Sequence, residues 1–235
     1  PKPLERENRY AIGGWRNQVV PDGAVPVVLG RHRYAPPFVA MSWTEIVGDW
    51  QYIRSLFCFG YGPLALSEFR IGETALEEFD EVETEVRTGL PGDAPCSLYP
   101  RQIVEENVGA ELLRPLPRDD LGEVIEGEPA EEAPVIRTTG ADASAASVIL
   151  AFPGGLVAHS KKGDAKAHSV RIRIRQRLVT AEVWEDVVTL EISAKKLETF
   201  YRQHTWDLPS RGRWQVEVTM LTDETTDNKI QQRCS

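Results

Sequence analysis

The sequence predicts a mainly β protein built in two units, and three observations carry that prediction. The first is Ser169–Val179, where Val170, Ile172, Ile174 and Leu178 alternate with Arg171, Arg173, Arg175 and Arg177. Successive side chains of a strand point to opposite faces, so this run has one dry face and one wet one, with Gln176 the single break on the dry side. The second is that further alternating runs, separated by turn residues, follow one another from Arg137 to the end. The third is charge: from Arg137 onward there are 15 basic and 12 acidic residues, a balance of +3, and the preceding part holds 12 and 24, a balance of −12. Such asymmetry marks two units.

A chain of 235 residues with 41% hydrophobic residues and six tryptophans can bury a real core. No apolar run approaches the roughly 20 residues needed to span a bilayer, and Pro1–Asn8 lacks the apolar stretch of a signal peptide. The missing initiator Met and the ending at Cys234-Ser235 lead us to expect a segment of a longer polypeptide. A net charge of −9, concentrated in one unit, argues against binding nucleic acid through phosphates. Cys58, Cys96 and Cys234 are odd in number and widely spaced, which fits neither a disulfide framework nor a zinc site. They read as idle thiols of a protein made in a reducing cytoplasm.

In chain order, Gly13-Gly14 before Trp15 is a turn leading to an aromatic anchor, and Pro21-Asp22-Gly23 is a second turn, with Pro fixing φ and Gly accepting positive φ. Val25–Leu29 reads as a short edge strand because of Pro26, and Pro36-Pro37 ends it. Trp43–Trp50 reads as one or two helical turns capped by Ser42. Tyr52–Phe59 and Leu64–Ile71 flank Gly60-Tyr-Gly-Pro63 as a β-hairpin, with Glu83–Thr88 as a third strand. Gln102–Leu113 is ambiguous: Val104, Val108 and Leu112 have helical spacing that Gly109 and Pro115 weaken. Asp119–Pro134, rich in carboxylates and holding Gly122, Gly127, Pro129 and Pro134, reads as a hinge.

Past Arg137, strands are expected at Ser147–Phe152, Ser169–Val179, Trp184–Ala194, Phe200–Leu208 and Arg213–Leu221. Turns are expected at Pro153–Leu156, Pro209–Gly212 and Thr222–Asn228, with His159–His168 as a loop. Five strands in so short a span describe an Ig- or fibronectin-like sandwich. Four arginines on one strand face repel one another unless carboxylates on neighbouring strands sit opposite them.

Chemistry-bearing residues are sparse. Gly60-x-Gly62-x-x-Ala65 matches a loose dinucleotide fingerprint, which needs a helix directly after the glycines. Leu64–Ile71 is too short for that helix and patterned like a strand. Glu77, Glu78, Asp80, Glu81, Glu83 and Glu85 crowd one segment without a calcium-loop pattern and read as a solvated edge that deters unwanted strand pairing. His159 and His168 with Asp164 lack a third ligand at metal spacing, and no Gly-x-Ser-x-Gly elbow is present. No catalytic, cofactor-binding or metal residue is assigned, and the chain reads as a non-enzyme.

Several segments carry a resemblance. Gly14-Trp15-Arg16-Asn17 leads into Gly23-Ala-Val-Pro-Val-Val-Leu-Gly30 and Pro36-Pro37, followed by Phe59-Gly60-Tyr-Gly-Pro-Leu64 and Phe69-Arg-Ile-Gly-Glu-Thr74. Later come Arg137-Thr-Thr139, Phe152-Pro-Gly-Gly-Leu156, Ser169-Val-Arg-Ile172 and Trp214-Gln-Val-Glu-Val218. In order and spacing these resemble the tip attachment (host specificity) protein J family of long non-contractile phage tails. The resemblance implies a hub-type β domain over 1–118, an acidic linker over 119–136 and a sandwich of insertion type over 137–235. It further implies a structural component of a phage or prophage tail tip, made in the bacterial cytoplasm and carried in the virion. This component would close the distal tail within a homotrimer of a larger parent protein. Other tail-tip and tail-tube proteins would be its partners, and the host receptor would be met only indirectly. Some apolar side chains, Trp43 or Trp50 among them, would then be exposed for assembly. Two other classes stay open: a carbohydrate- or receptor-binding adhesin module, and a cell-envelope hydrolase with two carboxylates converging in a cleft.

Overall fold

The computed structural model describes Asn17 and residues 23–235. The turn at Gly13-Gly14, the anchor Trp15 and most of the Pro21-Asp22-Gly23 turn lie outside the described residues. By their contacts the described residues form two compact units. One comprises Tyr52–Glu106 with the described residues up to Glu45, and the other comprises Ile46–Gln51 with Asn107–Ser235.

The strands in chain order are β1 (Trp43–Val47), β2 (Trp50–Arg54), β3 (Arg70–Ile71), β4 (Thr74–Ala75) and β5 (Val135–Thr138). There follow β6 (Ala143–Phe152), β7 (Val157–His159), β8 (Ala165–Lys166), β9 (His168–Leu178), β10 (Glu185–Ala194), β11 (Phe200–Gly212), β12 (Trp214–Met220) and β13 (Ile230–Gln231). The protein is mainly β, and the ladders of the C-terminal unit and of β3–β4 are antiparallel.

In the C-terminal unit, β9 is the long strand that the Arg/Ile alternation dictates, and it lies inside a four-stranded layer ordered β10–β9–β12–β5. Val170, Ile172 and Ile174 have no solvent exposure. They meet Val216, Val218 and Met220 of β12 on the same dry face, and the opposing layer, β6 with β11, supplies Leu150, Phe152 and Phe200. Phe152 and Phe200 stack with centroids 4.7 Å apart. Each such side chain stabilises the fold by roughly 1.5–3 kcal/mol through burial. Gln176, the break in the pattern, is buried too, and its Oε1 accepts a 2.7 Å hydrogen bond from Trp206 Nε1 of β11.

Two expectations for this unit need correction. Pro209–Gly212 is not a turn between strands: β11 runs through it, and the pairing with β6 shifts register between Asp207 and Gly212. β11 is a sheet edge, where Pro withdraws no ladder bond. His159–His168 is more than a loop, since it carries β8, which pairs with β7 around a turn closed by Ser160 and Asp164. The expected turn at Pro153–Leu156 is present. Gly155 sits at φ +82°, and a Cβ there would lie 2.2 Å from the Lys196 carbonyl oxygen, so only glycine fits.

The N-terminal half departs further from expectation. Trp43–Trp50 is not helical but forms β1, a turn and the start of β2. Gly48, at φ +64°, reverses the chain. The expected hairpin of Tyr52–Phe59 with Leu64–Ile71 is replaced by two others, β1–β2 and a tight β3–β4 turn through Gly72. Val25–Leu29 and Glu83–Thr88 form no ladder, and Gln102–Leu113 holds no helix. Leu112 and Leu113 instead make single bridges to Cys234 and Ala133. Between residues 23 and 106 the buried apolar anchors are Trp43 and Tyr99, whose rings meet edge to face at 6.4 Å.

Candidate assembly surface

The polar chemistry of the C-terminal unit is spent on internal pairing. On the outer face of the four-stranded layer Arg175 chelates Glu217, with Nε and Nη2 2.8 and 2.7 Å from Oε1. Thr219 Oγ1 donates to the same oxygen at 3.1 Å. Arg173 donates to Glu132 Oε2 at 2.8 Å, and Arg171 lies directly across from Glu191 of β10. Arg177 donates to Gln215 Oε1 at 2.7 Å and stacks over the Trp184 ring at 4.4 Å. Carboxylates therefore do meet or face three of the four arginines, Arg171, Arg173 and Arg175. The face is drier than a solvated one, because Glu217 is only 3% exposed. A carboxylate at that depth requires fixed cations beside it.

A second pairing closes around the turn of the β1–β2 hairpin. Asp49 takes Lys196 Nζ at 2.6 Å and Arg202 Nη1 at 3.0 Å, and Arg202 also donates to the Gly48 carbonyl. Lys196 and Arg202 both pack over the Phe200 ring. Their donated hydrogen bonds hold the Asp49 carboxyl below the usual carboxylate range. Ile46 N–H donates to Gln203 Oε1 at 2.6 Å, so the turn is held at both ends.

The residues singled out from sequence are accounted for as follows. Gly60 and Gly62 permit close backbone approach: a Cβ at Gly62 would fall 2.3 Å from the Thr88 carbonyl oxygen, and Tyr61 N–H donates to the Pro26 carbonyl. No helix follows them, so they offer no phosphate cradle. His159 faces the Lys229 carbonyl, and His168 bonds the Gln232 side chain at 2.9 Å. Asp164 closes its own turn with Ser160. Among the described residues no three His, Cys, Asp or Glu side chains group as metal ligands.

Of the acidic run, Glu77 and Glu78 lie in a short 3₁₀ turn, Leu76–Glu78. Glu85 has a specific role that its sequence neighbourhood concealed. It accepts from Leu98 N–H, Ser97 Oγ and Arg87 Nη2, at 2.8, 3.0 and 2.8 Å, which ties residues 85–98 into a closed loop. Those bonds, the Leu98 amide foremost, hold its pKa down at about 2. Cys234 is fully buried, and burial reinforced by Glu111 pushes its thiol up to about 12. It is an inert core side chain.

What is left over is apolar. In the N-terminal unit Val27, Leu29, Ile53, Tyr61 and Val104 are each more than 70% exposed, with Val25, Val39 and Met41 more than half exposed. Trp50, in the hairpin, is 61% exposed, whereas Trp43 is buried. Scattered exposed apolar residues are ordinary, but among residues 23–106 the exposed ones far outnumber the buried. Two surface depressions, of ≈190 and ≈270 Å³, lie below the size of ordinary small-molecule pockets.

A comparison with curated proteins returned no match. A family model matches residues 128–235, the tip attachment protein J FNIII-A domain. The match spans all the strands of the two-layered unit and begins nine residues before the sandwich boundary read from sequence. The alternating arginine strand, the two-layer core and this match agree: residues 128–235 form a fibronectin-like domain similar to the FNIII-A domain of tip attachment protein J, a protein of the phage tail tip.

Proposed function

We propose that this chain is a structural, non-catalytic part of the tail tip, with its N-terminal unit serving as a hub-like β segment that helps to close the distal tail. The parent protein assembles as a homotrimer with other tail-tip and tail-tube proteins around it, and receptor contact is made elsewhere in that parent. The observation that carries this reading is the N-terminal unit's apolar exposure: residues 23–106 bury little beyond Trp43 and Tyr99 while presenting Val27, Leu29, Ile53 and Val104 outward. Covering such side chains recovers roughly 25 cal/mol per Å² of apolar area, which a ring of subunits provides and a lone chain does not. The absence of catalysis is supported by the pairing of buried and half-buried charges with one another rather than toward a cleft.

Sedimentation of the full-length parent protein tests this. A trimer is expected, with the 235-residue chain alone largely monomeric, because a fraction of a standard interface of roughly 1,600 Å² does not offset lost translational and rotational freedom. A parent that stays monomeric even with its tail partners present overturns the hub reading.

A further inference from the structure

Of the two surface depressions, one has spent its polar groups internally and the other has not. Around the larger, Arg114 pairs with Asp223, Glu111 with Arg233, Glu224 with Arg118, and Gln232 with His168. The smaller lies where the turn before β2 meets the start of β11, and all its lining residues belong to the unit of Ile46–Gln51 with Asn107–Ser235. Trp50, Gln51, Glu198 and Tyr201 line it, and all four are exposed. None of these four side chains has a hydrogen bond or an ion pair among the described residues.

The backbone that carries them is nonetheless fixed. Asp49, next to Trp50, is held by Lys196 and Arg202. Phe200, between Thr199 and Tyr201, is buried and stacked on Phe152. Thr199 Oγ1 donates to the Pro153 carbonyl at 2.6 Å, and Lys196 exchanges both backbone hydrogen bonds with Leu156. Free groups on a fixed wall bind without the ordering cost that a mobile loop incurs.

Their chemistry selects among ligands. Trp50 is 61% exposed and Tyr201 37%, so the depression offers aromatic faces on which apolar C–H surface can be buried. Gln51 and Glu198 end in planar, two-pronged groups, and such a group can bond two neighbouring hydroxyls at once. Charge is balanced, with Asp49 and Glu198 against Lys196 and Arg202, so neither an anion nor a cation is drawn in preference. A ring with one apolar face and a rim of adjacent hydroxyls answers all of these features. A volume of ≈190 Å³ admits one such ring rather than a chain of them.

We infer that this depression is a shallow binding subsite for a single neutral sugar ring, its C–H face laid on Trp50 and its adjacent hydroxyls bonded by Glu198 and Gln51. The Tyr201 hydroxyl and the Trp50 indole N–H supply further donors at its margin. The subsite is additional to the tail-closing role and does not depend on it.

Amide and indole NMR spectra of the 235-residue chain test it. The probes are methyl glycosides of glucose, galactose, mannose, rhamnose and N-acetylglucosamine, with choline and N-acetylneuraminic acid as charged comparators. The Trp50 indole N–H and the amides of Gln51, Glu198 and Tyr201 shift together and saturably with at least one glycoside. The dissociation constant is on the order of 1 mM, as a small, solvent-open site gives. Trp50→Ala weakens that binding by about tenfold, read at the remaining amides, whereas Trp50→Phe keeps an aromatic face and retains most of it. Glu198→Gln weakens it roughly threefold, by replacing charge-assisted bonds with neutral ones. Both side chains are exposed, so amide spectra away from the site and the melting temperature stay as in the parent chain.

Three results overturn the inference: no shift of these resonances with any of the glycosides, tighter binding of choline or N-acetylneuraminic acid than of every glycoside, or undiminished binding by Trp50→Ala and Glu198→Gln. The second would make this a site for a charged group. None of these bears on the trimer, which sedimentation of the parent protein reads separately.

Discussion

Glu217→Gln is the substitution that reads most directly on how the sandwich is held together. The carboxylate is 3% exposed and lies 2.7 Å from Arg175 Nη2 and 3.9 Å from Arg173 Nη2. At an effective dielectric of ~20, opposite charges about 3 Å apart attract by roughly 5–6 kcal/mol. Desolvating the carboxylate consumes several kcal/mol of that. The remainder matches the net worth of charge-assisted hydrogen bonds, about 1.5–3 kcal/mol. Arg175 keeps 27% of its side chain in solvent, so its guanidinium can rehydrate when the carboxylate is lost. This holds the cost below the ~3–5 kcal/mol of breaking a fully buried pair. Each kcal/mol lowers the melting temperature of a domain of about 100 residues by roughly 4 °C or more, so Glu217→Gln is expected to melt some 8 °C lower. A double-mutant cycle with Arg175→Met, which keeps the aliphatic stem, should return a coupling energy of about 1 kcal/mol or more. The coupling should change little between 0.15 and 1 M salt, since buried pairs are poorly screened. A Glu217→Gln protein as stable as the parent chain, or more stable, would refute the reasoning and make the buried carboxylate a net cost.

Two further outcomes follow from the same structure. Glu85 has a folded pKa of about 2 against an ordinary 4.5, so the order it confers on residues 85–98 is complete above about pH 4.5 and goes as pH falls through about 2. Acid titration followed by NMR should show the Leu98 amide shifting in that window. Glu85→Gln should abolish the shift, and a Leu98 amide that titrates near 4.5 contradicts the assignment. Residues 120–128 are exposed but for Val124, so a Glu-specific protease should cut first between Asp119 and Pro134, an exposed loop within the unit that comprises Asn107–Ser235. Early cuts within β6, β9 or β12 instead, with that segment intact, would refute the reading of Asp119–Pro134 as the most accessible loop of that unit.

The sandwich was legible because its signals are local and its burial is its own. The Arg/Ile alternation of β9 needs only period two and a dry neighbour, and both were readable from residues 170–178. The arginines' partners were foreseen as a class but not by name, since Glu132 and Glu217 reach them from 41 and 42 residues away. The N-terminal half was less legible because little of its apolar surface is buried within the unit. Ile53 and Val104, which lack a buried face, fix neither register nor period, and Gly48 and Gly72 decided the hairpins instead. Glu85 was hidden among its acidic neighbours. Its difference lies in the Ser97 hydroxyl and the Leu98 N–H that fold back onto it, contacts with no mark in composition.

The hydrogen bond between Gln176 and Trp206 joins the two layers of the sandwich rather than strands of one sheet. Aliphatic faces are tolerant of sliding: a two-residue slip of β9 would still put Val, Ile or Leu against the opposite layer, at modest cost in packing. The same slip would strand an amide oxygen and an indole N–H in the dark between the sheets, at about 1–3 kcal/mol for each group left without a partner. A single polar residue in an otherwise oily seam thus acts as an alignment key, allowing one way for the two layers to close.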